Sequence, residues 1–192
     1  DDNSKAGRHR AVITERKAKL GFLKAKRVLV TGGGQGLGRA IAEELLRQGC
    51  DLAIHYRKSA EGAEAIKAAA ASSSRVEVFA ADLTKEDEAA NLVEKAVSFL
   101  GGLDVLINNA GDLIGRRRVT ELETEFWHKV LDVNLTSMML VTRSAVPHLV
   151  KAGETSVVNL ASLAGRMGGH AGSLVYSAAK GAVLTWTRSL AK

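Results

Sequence analysis

Residues 27–49 have the sequence RVLVTGGGQGLGRAIAEELLRQG, in which three local patterns follow one another. Residues 27–31 form a short run of branched apolar residues, which is typical of a strand buried in a parallel sheet. A glycine-rich turn comes next. Residues 37–48 then carry apolar side chains at helical spacing, and Gly49 ends the predicted helix. A strand, a tight turn and a helix in this order predict the first unit of an α/β protein.

The same alternation continues along the rest of the chain. The pattern predicts further strands at 52–56, 76–80, 103–108 and 156–160, and helices at 59–71, 84–100, 120 to about 150, and 174–192. Ser59 and Thr84 are predicted N-caps, with Asp87 completing a capping box, and Pro147 is expected to disturb the end of its helix. Such alternation favours a Rossmann-like, doubly wound parallel sheet in one domain over residues 26–192.

The composition fits a soluble globular domain. The chain has 192 residues, of which 46% are hydrophobic and 25% are charged. No apolar run is long enough to suggest a membrane span. Cys50 is the single cysteine, which excludes an intramolecular disulfide, and the histidines lack metal-ligand spacing. We therefore expect a cytoplasmic protein without a metal site.

The net charge of +6 is concentrated at the start of the chain. Residues 1–27 hold nine basic and three acidic residues, which accounts for the whole excess. We expect residues 1–25 to be a disordered, solvated leader. The alternatives are a tether to nucleic acid, membrane or an acidic partner, and the remnant of an organelle-targeting peptide. The balanced body of the chain predicts neither nucleic-acid binding nor membrane insertion.

The glycine-rich turn predicts a site for the phosphates of a dinucleotide. It follows a strand and opens a helix, so its small residues let backbone N–H groups approach a pyrophosphate at the helix N-terminus. Its pattern is T-G-x-x-x-G-x-G, which departs from the common G-x-G-x-x-G spacing, and a purely structural turn is the alternative. The candidate cofactor-binding residues here are Thr31, Gly32, Gln35, Gly36, Leu37 and Gly38.

The end of the second predicted strand indicates which dinucleotide is used. An acidic residue about 20 positions beyond the turn would bind the ribose hydroxyls of NAD. The chain instead has Tyr56 followed by Arg57 and Lys58. A guanidinium suits a 2′-phosphate, so Arg57 predicts a preference for NADP(H) over NAD(H). The alternative is that Arg57 and Lys58 belong to a solvated turn.

A serine, a tyrosine and a lysine near the end of the chain predict proton-transfer chemistry. Tyr176 and Lys180 are four residues apart, so they share one face of a helix. A lysine ammonium beside a tyrosine hydroxyl favours the phenolate, which gives an acid/base able to exchange a proton with an alcohol or a carbonyl. Ser162 lies upstream, after the fifth predicted strand.

These motifs together resemble the short-chain dehydrogenase/reductase superfamily, and most closely its 3-oxoacyl-[acyl-carrier-protein] reductase-like branch. Five blocks occur in the order expected of that family. They are Thr31–Gly38, Asp82-Leu83, Asn108-Asn-Ala-Gly111, Asn134, and Ser162 with Tyr176-x-x-x-Lys180. The resemblance covers residues 26–192.

The resemblance implies a role for each of these residues. Asp82 would contact adenine, Leu83 would line the adenine pocket, and Asn109, Ala110 and Gly111 would lie along the cofactor. Ser162 would bind the substrate carbonyl and Tyr176 would donate or accept the proton. Lys180 would hold the nicotinamide ribose and favour the ionised tyrosine. Asn134 would anchor a water molecule that joins Lys180 to solvent. Tyr176 and Lys180 therefore count as both catalytic and cofactor-binding residues.

The resemblance also predicts features of the whole protein. Members of the family usually continue past the catalytic helix, so the sheet is expected to be truncated at its C-terminus and to lack a substrate lid. A homo-oligomer, dimeric or tetrameric, is expected. The predicted function is hydride transfer between NADP(H) and a ketone or secondary alcohol of low molecular weight. The alternative is a catalytically idle nucleotide-binding or scaffold protein on the same fold.

Overall fold

A computed structural model of the chain describes residues 23–192. The predicted leader lies almost entirely outside the described residues. Five strands form one sheet: β1 (Arg27–Val30), β2 (Asp51–Tyr56), β3 (Val76–Ala80), β4 (Val105–Asn108) and β5 (Ser156–Asn159). All neighbouring strands are parallel and their order is β3-β2-β1-β4-β5. The predicted Rossmann-like, doubly wound sheet is confirmed.

Seven α-helices connect or follow the strands. They are α1 (Gly36–Arg47), α2 (Ala60–Ala68), α3 (Glu86–Leu100), α4 (Thr124–Leu131), α5 (Ser137–Ala152), α6 (Ala164–Met167) and α7 (Leu174–Leu190). A 3₁₀ turn covers Val119–Glu121, and a π-helical turn at Asp132–Thr136 joins α4 to α5. The long helix predicted from residue 120 is therefore two α-helices with a wider turn between them.

Two apolar clusters pack on opposite faces of the sheet. On one face, Ala42 and Leu45 of α1 and Ile66 of α2 cover the strands. On the other face, α3 and α5 contribute Leu92, Val93, Leu140 and Val141. Val28, Leu29 and Val30 of β1 are fully buried between the two layers, since Val28 and Val30 face one cluster and Leu29 faces the other.

Two local predictions about helix ends are wrong, and a third is correct in position only. Thr84 does not cap α3, because its hydroxyl donates to Asp82 Oδ1 (2.8 Å) and the helix begins two residues later at Glu86. No capping box forms with Asp87. Ser59 stands at the N-cap position of α2, but its hydroxyl donates to Gln35 Oε1 (2.7 Å) and makes no capping bond. At Ser59 a contact with another segment replaces the capping bond, whereas at Thr84 the contact is local, with the residue two positions earlier.

Pro147 lies inside α5, which continues to Ala152, so the proline does not end the helix. β5 forms one edge of the sheet in the part of the chain that the structure describes. The side chain of Val158 on this strand is 46% exposed. In residues 23–192, no helix has both the length and the apolar character needed to cross a membrane.

Candidate functional site

The sheet reverses its strand order at β1. The chain passes from β1 to β2 on one side, and later places β4 on the other side. In sheets of this kind, ligands bind in the crevice outside the carboxyl ends of the strands at such a point. The glycine-rich turn, the loop after β4 and the ends of β2 and β3 all meet there.

The glycine-rich turn packs too tightly against its surroundings at Gly38 to carry a side chain there. A Cβ on Gly38 would lie 2.2 Å from the carbonyl oxygen of Gly32. Gly32 has φ +66°, a left-handed conformation that favours glycine. Gly36 also has a positive φ (+53°), but a Cβ there would meet nothing within 4 Å, so the first turn of α1 is open on this side. An anion can therefore approach the N-terminal backbone N–H groups of α1.

A hydrogen-bond network joins this turn to the loop after β4. Thr31 is 1% exposed, and its hydroxyl donates to Ile107 O (3.3 Å) while it accepts bonds from the backbone N–H groups of Asn109 (3.0 Å) and Ala110 (3.1 Å). The side-chain amide of Asn109 donates to the carbonyl oxygens of Thr31 and Gly32, both at 3.0 Å. Thr31 and the Asn109 amide thus hold the two loops in position, although both were predicted as cofactor contacts.

Asp82 and Arg57 face each other at the rim of this crevice. The guanidinium Nε of Arg57 lies 3.7 Å from Asp82 Oδ2, a loose contact, and the Arg57 side chain is 50% exposed. Burial alone would raise the pKa of Asp82. Two hydrogen bonds from Thr84 and the positive charges of Arg57 and Lys85 outweigh that effect, so the pKa of Asp82 is lowered from its usual value. Asp82 is therefore ionised at neutral pH.

These groups line a cleft of about 430 Å³. Eleven of the residues predicted to bind cofactor line it: Gly32, Gln35, Gly36, Leu37, Gly38, Arg57, Asp82, Leu83, Asn109, Ala110 and Gly111. Three others, Thr31, Tyr176 and Lys180, do not. The lining residues that were not predicted are Gly34, His55, Tyr56, Lys58, Ser59, Thr84, Asp112, Val133 and Ser137. Several of these follow the carboxyl ends of β2 and β3, which is the signal that could have indicated them.

Asn134 lies in the π-helical turn and is 1% exposed. Its amide nitrogen donates to Asp112 O (2.7 Å) and Val130 O (2.9 Å), and its oxygen accepts from the backbone N–H of Asp112 (3.1 Å). Turns of this kind often occur at functional sites. Protein partners use both hydrogens of the side-chain amide, so any water held at Asn134 would have to bind one of its carbonyl oxygens.

Lys180 is buried beneath the loop after β4. Its side-chain nitrogen donates to Leu160 O at 2.8 Å, and the residue is 5% exposed. Desolvation by burial lowers the pKa of Lys180 from its usual value. The same nitrogen lies 5.8 Å from the centre of the Tyr176 ring, so the two side chains share one side of α7, as their spacing predicts.

Two further predicted residues, Ser162 and Gly111, follow the ends of β5 and β4. Ser162 follows Leu160 by two residues at the end of β5, and its hydroxyl accepts a bond from the backbone N–H of Ala164 (3.1 Å). A Cβ on Gly111 would lie 3.2 Å from the Lys180 nitrogen and 2.8 Å from Asn134 Oδ1. Because Gly111 also lines the cleft, it connects the predicted cofactor site with the predicted catalytic lysine.

No group of three or more histidine, cysteine, aspartate or glutamate side chains that could hold a metal ion occurs within residues 23–192. The fold and the cleft instead define a Rossmann-type protein with a candidate dinucleotide site at the carboxyl ends of its strands. A sequence profile of the short chain dehydrogenase family matches residues 26–192. The chain belongs to this family, whose members are NAD(P)-dependent oxidoreductases that act on CH–OH or carbonyl groups.

Two curated relatives illustrate the similarity in sequence. General stress protein 39 of Bacillus subtilis (strain 168) is 34% identical over 177 residues, which cover 88% of this chain and 59% of the relative. The 3-oxoacyl-[acyl-carrier-protein] reductase FabG of Staphylococcus aureus (strain N315) is 34% identical over 171 residues, which cover 87% of this chain and 68% of the relative. The predicted relation to this branch of the family is confirmed.

Two solved structures show the similarity in fold. NADH-dependent reductase A1-R′ complexed with NAD has a TM-score of 0.80 and 35% identity, over 88% of this chain and 73% of that one. A short chain dehydrogenase from Burkholderia cenocepacia J2315 in complex with NADP has a TM-score of 0.82 and 36% identity, over 88% of this chain and 68% of that one. Structures similar to this chain thus hold either dinucleotide.

Proposed function

We propose that the protein transfers hydride between NADP(H) and a ketone or secondary alcohol, with Tyr176 as the proton donor or acceptor. The observation that carries the proposal is the position of Lys180. The residue is buried, its side-chain nitrogen lies 5.8 Å from the centre of the Tyr176 ring, and a Cβ on the cleft-lining Gly111 would lie 3.2 Å from that nitrogen. A buried cation beside a phenol has a clear chemical use, because it favours the form of the tyrosine that can accept a proton.

The residues of the chain would divide the reaction between them. The nicotinamide, when bound, supplies or accepts the hydride. Reduction of a carbonyl leaves negative charge on its oxygen, and the Tyr176 hydroxyl would protonate that oxygen. Ser162, which stands at the carboxyl end of β5, would hold the same oxygen by a hydrogen bond. Lys180 would favour the ionised form of Tyr176 and hold the cofactor ribose. In oxidation of an alcohol, Tyr176 accepts the proton instead.

Further predicted roles rest on position around the cleft. They belong to Asp82, Leu83 and the loop of Asn109, Ala110 and Gly111. Asp82 at the end of β3 would contact adenine, and Leu83, which is 5% exposed, would line the adenine pocket. Asn134 would anchor a water molecule through one of its carbonyl oxygens. The small-molecule substrate, a cytoplasmic location and a homo-oligomeric state belong to the same proposal. Sedimentation of the purified protein tests the oligomeric state.

The first experiment measures consumption of NADPH with a panel of small ketones, and formation of NADPH with the corresponding alcohols. The proposal predicts turnover with at least one member of the panel. Binding of dinucleotide without any turnover across the panel would instead support the idle nucleotide-binding alternative, which the comparisons do not favour. Absence of dinucleotide binding would contradict both.

Arg57 carries the proposed preference for NADP(H). Its guanidinium is half exposed at the rim of the cleft, and its contact with Asp82 is loose enough to leave donors for a 2′-phosphate. Replacing Arg57 by Gln should raise KM for NADPH by about tenfold, because one charge-assisted contact is lost. KM for NADH, which lacks this phosphate, should change little.

The matched control is Arg47→Gln, at an exposed ion pair with Glu44 on α1 outside the cleft. It should change neither the KM for NADPH nor the KM for NADH. A wild-type protein with a higher kcat/KM for NADH than for NADPH would contradict the assignment of Arg57. Such a result would leave the proposed oxidoreductase activity intact.

A further inference from the structure

His55 is a buried histidine at the carboxyl end of β2, and no step of the proposed reaction uses it. It is 2% exposed. Its Nδ1 lies 3.0 Å from the backbone nitrogen of Gly32 in the glycine-rich turn, and its Nε2 lies 3.0 Å from the carbonyl oxygen of Ala81 just beyond β3. The ring thus bridges the segments that follow β1 and β3, and it also lines the cleft.

The two partners determine the protonation state of the ring. A backbone N–H can only donate, so Nδ1 of His55 must be the acceptor in its bond with Gly32. A carbonyl oxygen can only accept, so Nε2 must carry the proton that it donates to Ala81. Both bonds form only in the neutral ring with its proton on Nε2. A protonated His55 would turn a second N–H toward the N–H of Gly32.

His55 also fixes the turn through its backbone. The N–H of Gly33 donates to the carbonyl oxygen of His55 at 2.8 Å. Two successive backbone N–H groups of the turn, those of Gly32 and Gly33, are therefore bound to one residue. This leaves the following part of the turn, up to Gly36 at the start of α1, as the part that can face a ligand.

We propose that His55 is a positioning residue for dinucleotide binding: its neutral side chain holds the glycine-rich turn in the conformation that accepts the pyrophosphate. The inference rests on the proposed function, because it needs a dinucleotide in the cleft. It adds to that function a predicted dependence on pH. Dinucleotide affinity falls as the pH is lowered and His55 takes up a proton, because the bond to Gly32 is then lost.

The surroundings of the ring change the pKa of His55 in opposite directions. Burial lowers the pKa of His55, while the hydrogen bond to Ala81 and the carboxylate of Asp82 act against that effect. Arg57 and Lys58 come directly after β2 and line the cleft. Arg57 also contacts Asp82. The phosphates of a bound dinucleotide would favour the protonated ring and so raise affinity in acid. The geometry of the Gly32 bond predicts instead that affinity falls in acid. The direction of the change therefore distinguishes the two effects.

The experiment measures the dissociation constant of NADH between about pH 8 and pH 5, the range in which histidines titrate. NADH is the probe because it has no 2′-phosphate whose own titration would interfere. The wild type should bind more weakly as the pH falls. His55→Phe keeps a planar ring but offers no acceptor, so it should bind about tenfold more weakly at the upper end of the range and show no such dependence.

His55→Asn separates the hydrogen bond from titration. The Asn side-chain oxygen can occupy the place of Nδ1 and accept from Gly32, but it does not titrate in this range. This variant should therefore bind NADH within about threefold of the wild type at the upper end of the range, and its affinity should not change on acidification. The matched control is His148→Asn, at a histidine whose Nε2 lies 3.0 Å from Glu94 Oε1, away from the cleft. It should keep the wild-type affinity and pH dependence.

Thermal unfolding of each variant, measured in parallel, separates loss of binding from loss of fold. The inference is overturned if His55→Asn keeps the wild-type pH dependence, if wild-type affinity rises on acidification, or if folded His55→Phe binds as tightly as the wild type. In each of these cases the wild type still binds NADH, so the proposed function stands. A wild type that binds no dinucleotide at any pH overturns both.

Discussion

The two edges of the sheet are built from different chemistry. At the amino end of the strands, Arg27 of β1 binds Asp104 through two side-chain hydrogen bonds of 2.7 and 2.9 Å. Arg75 binds Asp51 in a similar way and also donates to the carbonyl oxygens at the end of α3. Charges at this edge meet opposite charges and backbone groups within the protein.

At the carboxyl end of the strands, neutral groups hold the loops and charges are left available. Thr31, His55, Asn109 and Asn134 bind backbone groups of the glycine-rich turn and of the loop after β4. Lys180 forms no ion pair with any residue of 23–192. The difference indicates that one edge serves stability, and that the other keeps charges free for a ligand at some cost to stability.

The largest effect on stability is expected from breaking the Arg27–Asp104 pair. Asp104→Ala should lower the free energy of unfolding by about 1.5–3 kcal/mol, since it removes charge-assisted hydrogen bonds and leaves Arg27 partly buried without its partner. Turnover per folded molecule should not change, because the pair lies far from the cleft. Denaturant unfolding and active-site titration together measure both quantities.

The same pair predicts a dependence on pH. The hydrogen bond and charge of Arg27 lower the pKa of Asp104 from its usual value, although burial opposes them. A lowered pKa in the folded state means that the stabilisation is complete above the usual value of about 4 and is lost as the pH falls through the pKa of the folded state. Asp104→Ala should abolish this part of the acid dependence. Glu86→Gln, at the exposed pair with Arg143, is the control and should change stability by less than about 0.5 kcal/mol.

A smaller effect is expected where the cleft meets Lys180. Gly111→Ala would place a methyl group 2.8 Å from Asn134 Oδ1 and 3.2 Å from the Lys180 nitrogen. One of these groups must move, and we expect kcat to fall by about tenfold through displacement of the lysine. Gly115→Ala in the same loop is the control, because its nearest contact would be an ordinary 3.6 Å. Equal kcat values for the two variants would contradict the role given to Gly111.

The sequence was sufficient to predict the framework of the molecule. Five short apolar segments alternating with helices were sufficient to predict the sheet, and the carboxyl end of each strand indicated where polar residues would meet. The spacing of Tyr176 and Lys180 was sufficient to place them on one side of α7, because helical periodicity is a local property.

Interactions between distant segments could not be predicted in this way. Ser59 stands at an N-cap position, yet its hydroxyl binds Gln35, which lies 24 residues away along the chain. The role of His55 depends on Gly32 and Ala81, which lie 23 and 26 residues away along the chain. The π-helical turn at Asn134 likewise depends on the backbone of Asp112, in another loop. Local patterns carry no information about such partners.

The central proposal is that Tyr176 exchanges a proton with the substrate at the carboxyl end of the strands. Steady-state kinetics of Tyr176→Phe with the best ketone of the panel test it most directly, alongside dinucleotide affinity and thermal unfolding of the same variant. The account predicts that kcat falls by about 10²–10⁴-fold while dinucleotide affinity and stability stay close to wild type. A Tyr176→Phe protein that retains wild-type turnover would contradict it.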